Sequence, residues 1–172
     1  MGVTIDLLSV LNQEMGLEGS NKCIKRFEQK DFWVIKLPEH EKKLFNSIPN
    51  YEKYLMENTI KHSSFTAFIG KTPVGCFGLI QLYPGVAEAW LIPSQELRMS
   101  IKNAFAFQKA TKKFFNHAFD VFDLRRIQVT IDETNTISMN WIKTMDFKKE
   151  GCLREFGFNG ENYIMFSRLT GD

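Results

Sequence analysis

One change of period constrains this chain more than any other feature. Residues 65–69, 74–83 and 86–92 are apolar, β-rich runs separated by Gly70-Lys71-Thr72-Pro73 and Pro84-Gly85. Such runs broken by Gly/Pro turns predict a three-stranded antiparallel meander. From residue 100 to 122 the apolar residues instead fall at Ile101, Ala104, Phe105, Phe107, Phe114, Phe115, Ala118, Phe119 and Phe122, with lysines between them. That spacing predicts a long amphipathic helix with its phenylalanines in the core. Strict alternation returns at Ile127, Val129 and Ile131, a second helix is expected over 135–145, and strands over 149–156 and 163–169 flank an Asn159-Gly160 turn. Upstream, residues 3–15 predict a short helix and 32–37 a first strand closed by Pro38. Residues 39–61 predict one or two helices interrupted by Pro49. The order β-α-α-β-β-β-α-β-α-β-β points to an α/β fold, with residues 1–29 as a helical extension and 30–172 as a single domain.

Composition narrows the class further. The chain has 172 residues, 44% of them hydrophobic and 24% charged, which suits one globular domain and excludes extensive disorder. A net charge of +2 is too balanced to make nucleic acid or an anionic membrane the expected partner. Lys109, Lys112 and Lys113 then read as a solvated helix face. Cys23, Cys76 and Cys152 form no CxxC pair, and His40, His62 and His117 are equally scattered. No disulfide framework and no metal site is expected, and Cys76 and Cys152 read as buried thiols. No stretch approaches the roughly 18 apolar residues of a membrane span. A soluble, cytoplasmic protein is the expectation, and the 16 phenylalanines leave room for an apolar patch and a homo-oligomer.

Several segments in the second half resemble the GNAT N-acetyltransferase superfamily, in particular the branch that acetylates ribosomal-protein N-termini. They are Ala87-Glu88-Ala89-Trp90-Leu91-Ile92-Pro93, Leu124-Arg125-Arg126-Ile127, Asn135-Thr136-Ile137-Ser138, Glu150-Gly151-Cys152-Leu153-Arg154 and Tyr163-Ile164-Met165-Phe166-Ser167. Met145-Asp146-Phe147 stands where the family usually has Leu-Gly-Phe. The resemblance implies a single GNAT-like domain with a mixed, mostly antiparallel central sheet flanked by helices. It also implies acetyl-CoA as cosubstrate and a small-molecule or protein amine as acceptor.

For acetyl transfer to an amine, a carboxylate must take the amine proton, and a hydroxyl can protonate the leaving sulfur. Glu88 lies in an otherwise apolar strand and matches the family's strand-four glutamate, so it is the candidate base; strand alternation equally allows it to face solvent. Ser138 is the candidate acid by its place in the Asn-x-x-Ser match, or an ordinary first-turn serine. Asn135 reads as a pantetheine contact, as a helix N-cap, or as both. The backbones of Leu91 and Ile92 would pair with pantetheine while their side chains pack in the core.

One departure from the family is serious. GNAT enzymes carry a Gln/Arg-x-x-Gly-x-Gly/Ala loop for the coenzyme A pyrophosphate, whereas residues 93–102 read Pro-Ser-Gln-Glu-Leu-Arg-Met-Ser-Ile-Lys. Without glycine, Leu97 and Met99 are expected to obstruct a phosphate and Glu96 to repel it. Arg98, Lys102 and the amides of Ser100 and Ile101 remain as candidate contacts. Some phage GNAT-like proteins, including virion components, resemble the chain here. The alternative function is therefore a catalytically inactive GNAT-fold binding or structural protein encoded by a phage, either a component of the virion or a protein that acts on a host partner.

Overall fold

The computed structural model describes residues 6–17 and 19–172; the side chain of Arg98 lies outside the described residues. In chain order the elements are α1 (Leu7–Glu14), β1 (Lys22–Arg26), α2 (Gln29–Val34), α3 (Glu39–Ser47), α4 (Tyr51–Asn58), β2 (Phe65–Ile69), β3 (Thr72–Tyr83) and β4 (Val86–Pro93). There follow α5 (Gln95–Arg98), α6 (Ile101–Val121), β5 (Arg126–Asp132), α7 (Thr136–Lys143), β6 (Lys148–Leu153) and β7 (Tyr163–Leu169). The strands form one seven-stranded sheet in the order β1-β2-β3-β4-β5-β7-β6. β4 and β5 run parallel, and every other neighbouring pair is antiparallel. The α/β class, the single mixed sheet and the expected meander are thus observed.

The parallel pair exists because α6 carries the chain back across the sheet. Ser100 caps this helix by accepting the Asn103 N–H at 3.3 Å. Its buried face is Phe107, Ala110, Thr111, Phe114, Phe115, Ala118 and Phe119. Phe114 packs edge-on against Phe65 and Phe77, with ring centroids 5.7 and 5.1 Å away. Gly75 leaves the space that the Phe107 ring fills; a Cβ there would come within 2.4 Å of it. The start of β5 is set by Gly85, at φ +79° in the β3–β4 turn, whose carbonyl accepts the N–H groups of Arg125 and Arg126 at 2.9 and 3.2 Å. On the opposite face of the sheet, Phe32, Ile35, Leu55, Cys76, Ile80, Trp90 and Ile92 form a second apolar cluster beneath α2 and α4.

The structure corrects the reading of the N-terminal third. Residues 29–34 are helical, not a strand, and the first strand is Lys22–Arg26. Asp31 explains the helix: its carboxylate accepts the Glu28 N–H at 3.0 Å, closing a capping box, and the buried Thr66 hydroxyl at 2.6 Å. β1 has little alternation of its own and is a strand by its pairing with β2, Lys22 opposite Ile69 through Arg26 opposite Phe65. The stretch expected to be an extension therefore supplies an edge strand, and Leu7 and Leu11 of α1 are buried in the main core. Asn12 braces that edge, donating to the Ile24 carbonyl and accepting the Ile24 N–H, both at 3.0 Å.

Three side-chain expectations also change. Cys76 is buried, its thiol pushed up to about 12 by desolvation, but Cys152 is exposed on β6. Phe105 is 67% exposed, because the first turns of α6 present it away from the sheet. Lys112 and Lys113 are ion-paired, to Asp146 at 2.9 Å and Glu14 at 2.6 Å. Among the described residues no helix is long and apolar enough to cross a membrane.

Candidate active site

The site arises from the way β4 and β5 part. They pair only over Val86, Ala87 and Glu88, opposite Arg126, Ile127 and Gln128. Beyond Glu88, β4 continues against β3 alone and β5 against β7. The strands separate into a wedge in which the β5-facing backbone of residues 89–93 has no strand partner. A cleft of about 350 Å³ occupies this wedge. Its floor is Glu88 to Pro93 and Val129 to Asp132; α3, α4, α7 and the β6–β7 connection supply its walls.

Those walls are tied down by polar contacts. The Trp90 indole lies over Gly78, where a Cβ would come within 2.7 Å, and donates its N–H to Thr59 Oγ1 at 3.0 Å at the end of α4. The Asn159 amide reaches Ser47 Oγ at 3.2 Å, and Lys43 stands 3.9 Å from Glu161, which join α3 to the β6–β7 connection. Asp146 precedes β6 at φ +66°, the backbone state that favours glycine, at the position where the resembled family usually has glycine.

Glu88 faces this cleft and is half-buried, which resolves the alternation question in favour of the interior. Burial raises its pKa, and hydrogen bonds from Thr130 and Gln128 pull the other way. Thr130 Oγ1 donates to Glu88 Oε1 at 3.1 Å. Removing that donor takes stabilisation from the carboxylate alone. Thr130→Val is accordingly expected to move the Glu88 titration to higher pH, with Thr130→Ser restoring it, as read by carboxyl-carbon NMR. An unmoved titration would remove Thr130 from this role.

Ser138 and Asn135 line the same cleft. Asn135 Oδ1 accepts the Ser138 N–H at 3.1 Å, so Asn135 is the N-cap of α7 and stands at the cleft as well. Leu91 and Ile92 line it from β4, with Ile92 buried in the second apolar cluster. Trp141, expected in the core, stacks parallel to Phe107 at 5.8 Å and forms part of the cleft wall.

The loop residues sit apart from this group. Gln95 to Arg98 form a helical turn capped by Ser94, and Ser100 and Ile101 begin α6 outside the cleft lining. Leu97 is buried in the main core, which corrects the expectation that it obstructs a phosphate. Met99 and Ile101 are 81% and 90% exposed, and Glu96 is held by Lys36 at 3.5 Å.

Other cleft groups carry no sequence motif. His40 and Glu41 come from α3, Tyr51 from α4, Asp132 from the end of β5 and Tyr163 from β7. His40 Nε2 lies 3.9 Å from Asp132 Oδ2. Burial, then the charges of Glu41 and Glu88, push the Tyr51 phenol far up. Burial, then Asp132, Glu161 and Glu41, push that of Tyr163 up to about 12. Both phenols therefore remain protonated donors at neutral pH. A carboxylate placed beside aromatic residues on a polar helix was the available signal for Glu41, and it has no specificity by itself.

The fold is shared with known structures. An acetyltransferase of the GNAT family from Bacillus anthracis superposes with a TM-score of 0.66 at 16% identity, covering 89% of this chain and 97% of its own. The ribosomal-protein-S5-alanine acetyltransferase of Vibrio fischeri gives 0.61 at 12% identity, over 89% and 95%. A spermidine N-acetyltransferase variant from Vibrio cholerae gives 0.61 at 16% identity, over 87% and 94%. No protein-family model and no curated protein matches the chain. The fold is that of the GNAT acetyltransferases.

Proposed function

We propose that this protein is an N-acetyltransferase that moves an acetyl group from acetyl-CoA to a primary amine by direct attack in a ternary complex. The observation that carries this is the wedge between β4 and β5, with Glu88 and Ser138 facing one cleft. The unpartnered β4 backbone at residues 89–93 fits an extended pantetheine arm, and Asn135 at the start of α7 fits its amides. The pyrophosphate end fits less closely. In place of a glycine loop it has the start of the 21-residue α6. There the Ile101 and Lys102 amides lack intrahelical acceptors, and the helix dipole favours an anion. Arg98 and Lys102 are the side chains proposed to join them.

When bound, acetyl-CoA supplies the acetyl group as an activated thioester. Glu88 accepts a proton from the acceptor ammonium, directly or through water, freeing the nitrogen lone pair that forms the new C–N bond. Ser138 donates a proton as the C–S bond breaks, and the second proton that the nitrogen sheds on becoming an amide returns to Ser138 through solvent. The raised pKa of Glu88 suits this task, because burial makes its carboxylate a stronger base than an exposed glutamate.

A second reading has its own observation: the helical turn at Gln95–Arg98 where the resembled family has a flexible glycine loop. On that reading the chain is a GNAT-fold binding protein without cofactor. A thermal-shift titration with acetyl-CoA separates the two. At 100 times the dissociation constant a ligand of the folded state adds about 2.7 kcal/mol. A saturable shift, weakened by Arg98→Ala, is expected. No shift at millimolar acetyl-CoA would sink the enzyme reading and leave the binding protein.

A further inference from the structure

We propose that Arg126 is a positioning residue for Glu88: gripped by Glu150, its guanidinium fixes the Gln128 amide so that this amide only donates to the Glu88 carboxylate. The proposal rests on the reading of Glu88 as the base for its consequence in acetyl transfer, not for the contacts themselves.

The sheet sets the positions. Alternation puts Arg126, Gln128 and Thr130 on one face of β5. Gln128 stands opposite Glu88 of β4 on one side and opposite Ser167 of β7 on the other. The Arg126 Nε–H donates to Gln128 Oε1 at 3.1 Å. The two terminal nitrogens of Arg126 donate to the two oxygens of Glu150 on β6, at 2.8 and 2.6 Å. The buried Ser167 hydroxyl donates to the same carboxylate. A chain of contacts thus runs along the sheet from Glu150 through Arg126 and Gln128 to Glu88.

The chemistry of the amide gives that chain its direction. A glutamine amide free to turn over offers its N–H to a carboxylate or its C=O to a carboxylic acid. It serves both protonation states of its neighbour and moves the titration little. A guanidinium has donors only, so Gln128 turns its oxygen to Arg126 and its NH2 to Glu88. Burial raises the Glu88 pKa, and an amide held this way works against burial, because it stabilises the ionised carboxylate alone. The grip on Arg126 persists throughout that titration, since Arg126, then Ser167, hold the Glu150 pKa down to about 2. Tyr51 of α4 also feels the Glu88 charge, and Tyr83 at the end of β3 that of Arg126. His40 and Glu41 of α3, Asp132 of β5 and Tyr163 of β7 line the same cleft. The substitutions that test the proposal leave all six in place.

Carboxyl-carbon NMR of the full chain reads the Glu88 titration, its signal assigned by its loss in Glu88→Gln. Arg126→Met is expected to move that titration to higher pH. Arg126→Lys keeps the charge but removes the Nε–H, and is expected to move it the same way; it carries the reading if Arg126→Met does not fold. In a Gln128→Leu background, where the titration is already raised, Arg126→Met is expected to add no further shift. A titration unmoved by both Arg126 variants would overturn the proposal. So would wild-type behaviour in Arg126→Lys, or an Arg126→Met shift retained in full beside Gln128→Leu, because the charge would then act on Glu88 directly. The pH dependence of acetyl transfer is measured separately. A Glu88 titration that moves while the rate profile stays supports this proposal and counts against Glu88 as the base.

Discussion

On the proposed acetyltransferase reading, Glu88→Gln is expected to lower acetyl transfer by about 10²–10⁴-fold, the range of a lost general base, and at the same time to make the protein more stable at neutral pH. The two effects have one cause. Burial holds the folded-state pKa of Glu88 above its ordinary value of 4.5. The folded protein therefore keeps the proton to higher pH than the unfolded chain does. The associated stability is fully present below pH 4.5 and is lost as pH rises through the folded-state pKa. Glutamine does not ionise, so the advantage of the variant is absent in acid and grows through that window. Urea unfolding of both proteins from acid to neutral pH reads it directly. In the wild-type protein the rate rises across the same window, because only the ionised carboxylate accepts a proton. A variant with wild-type rate would take the base role from Glu88. A stability gain equally large in acid would place its origin outside the ionisation.

Phe114→Ala is expected to destabilise by about 3–5 kcal/mol, and Phe105→Ala by no more than about 0.5 kcal/mol. Both residues lie on α6, and helical spacing marks both as apolar. Phe114 is fully buried against Phe65, Phe77 and Phe115, so its removal leaves a cavity in a closely packed aromatic cluster. Phe105 is 67% exposed and has little to lose. Denaturant unfolding of the two variants checks the pair. Equal costs would mean that the start of α6 is covered in solution.

Much of the second half of the fold was legible because its signals are local. The meander is punctuated by turn residues, α6 and α7 carry a helical period, and β5 alternates strictly. Each of those properties is written within a few residues of the element it shapes. Glu88, Ser138 and Asn135 were legible for a related reason: they lie in segments whose order resembles that of the GNAT enzymes, and the structure places all three at one cleft.

The remainder depended on distance in the chain. β1 is a strand because β2 offers it a partner, and α2 is a helix in a place where Asp31 meets both Glu28 and the distant Thr66. Helical spacing defines the apolar face of α6 but not how far the sheet beneath it reaches, so Phe105 and Phe114 look alike in sequence and differ in burial. The wall of the cleft shows the same division most clearly. His40, Glu41, Tyr51, Asp132 and Tyr163 belong to four elements, and no spacing relates them. Local pattern set which segments became helices and strands over most of the chain. The parting of β4 from β5 brought those five residues to one cleft, because there two strands inside the sheet leave their facing edges unpaired and make room for side chains from both halves of the chain.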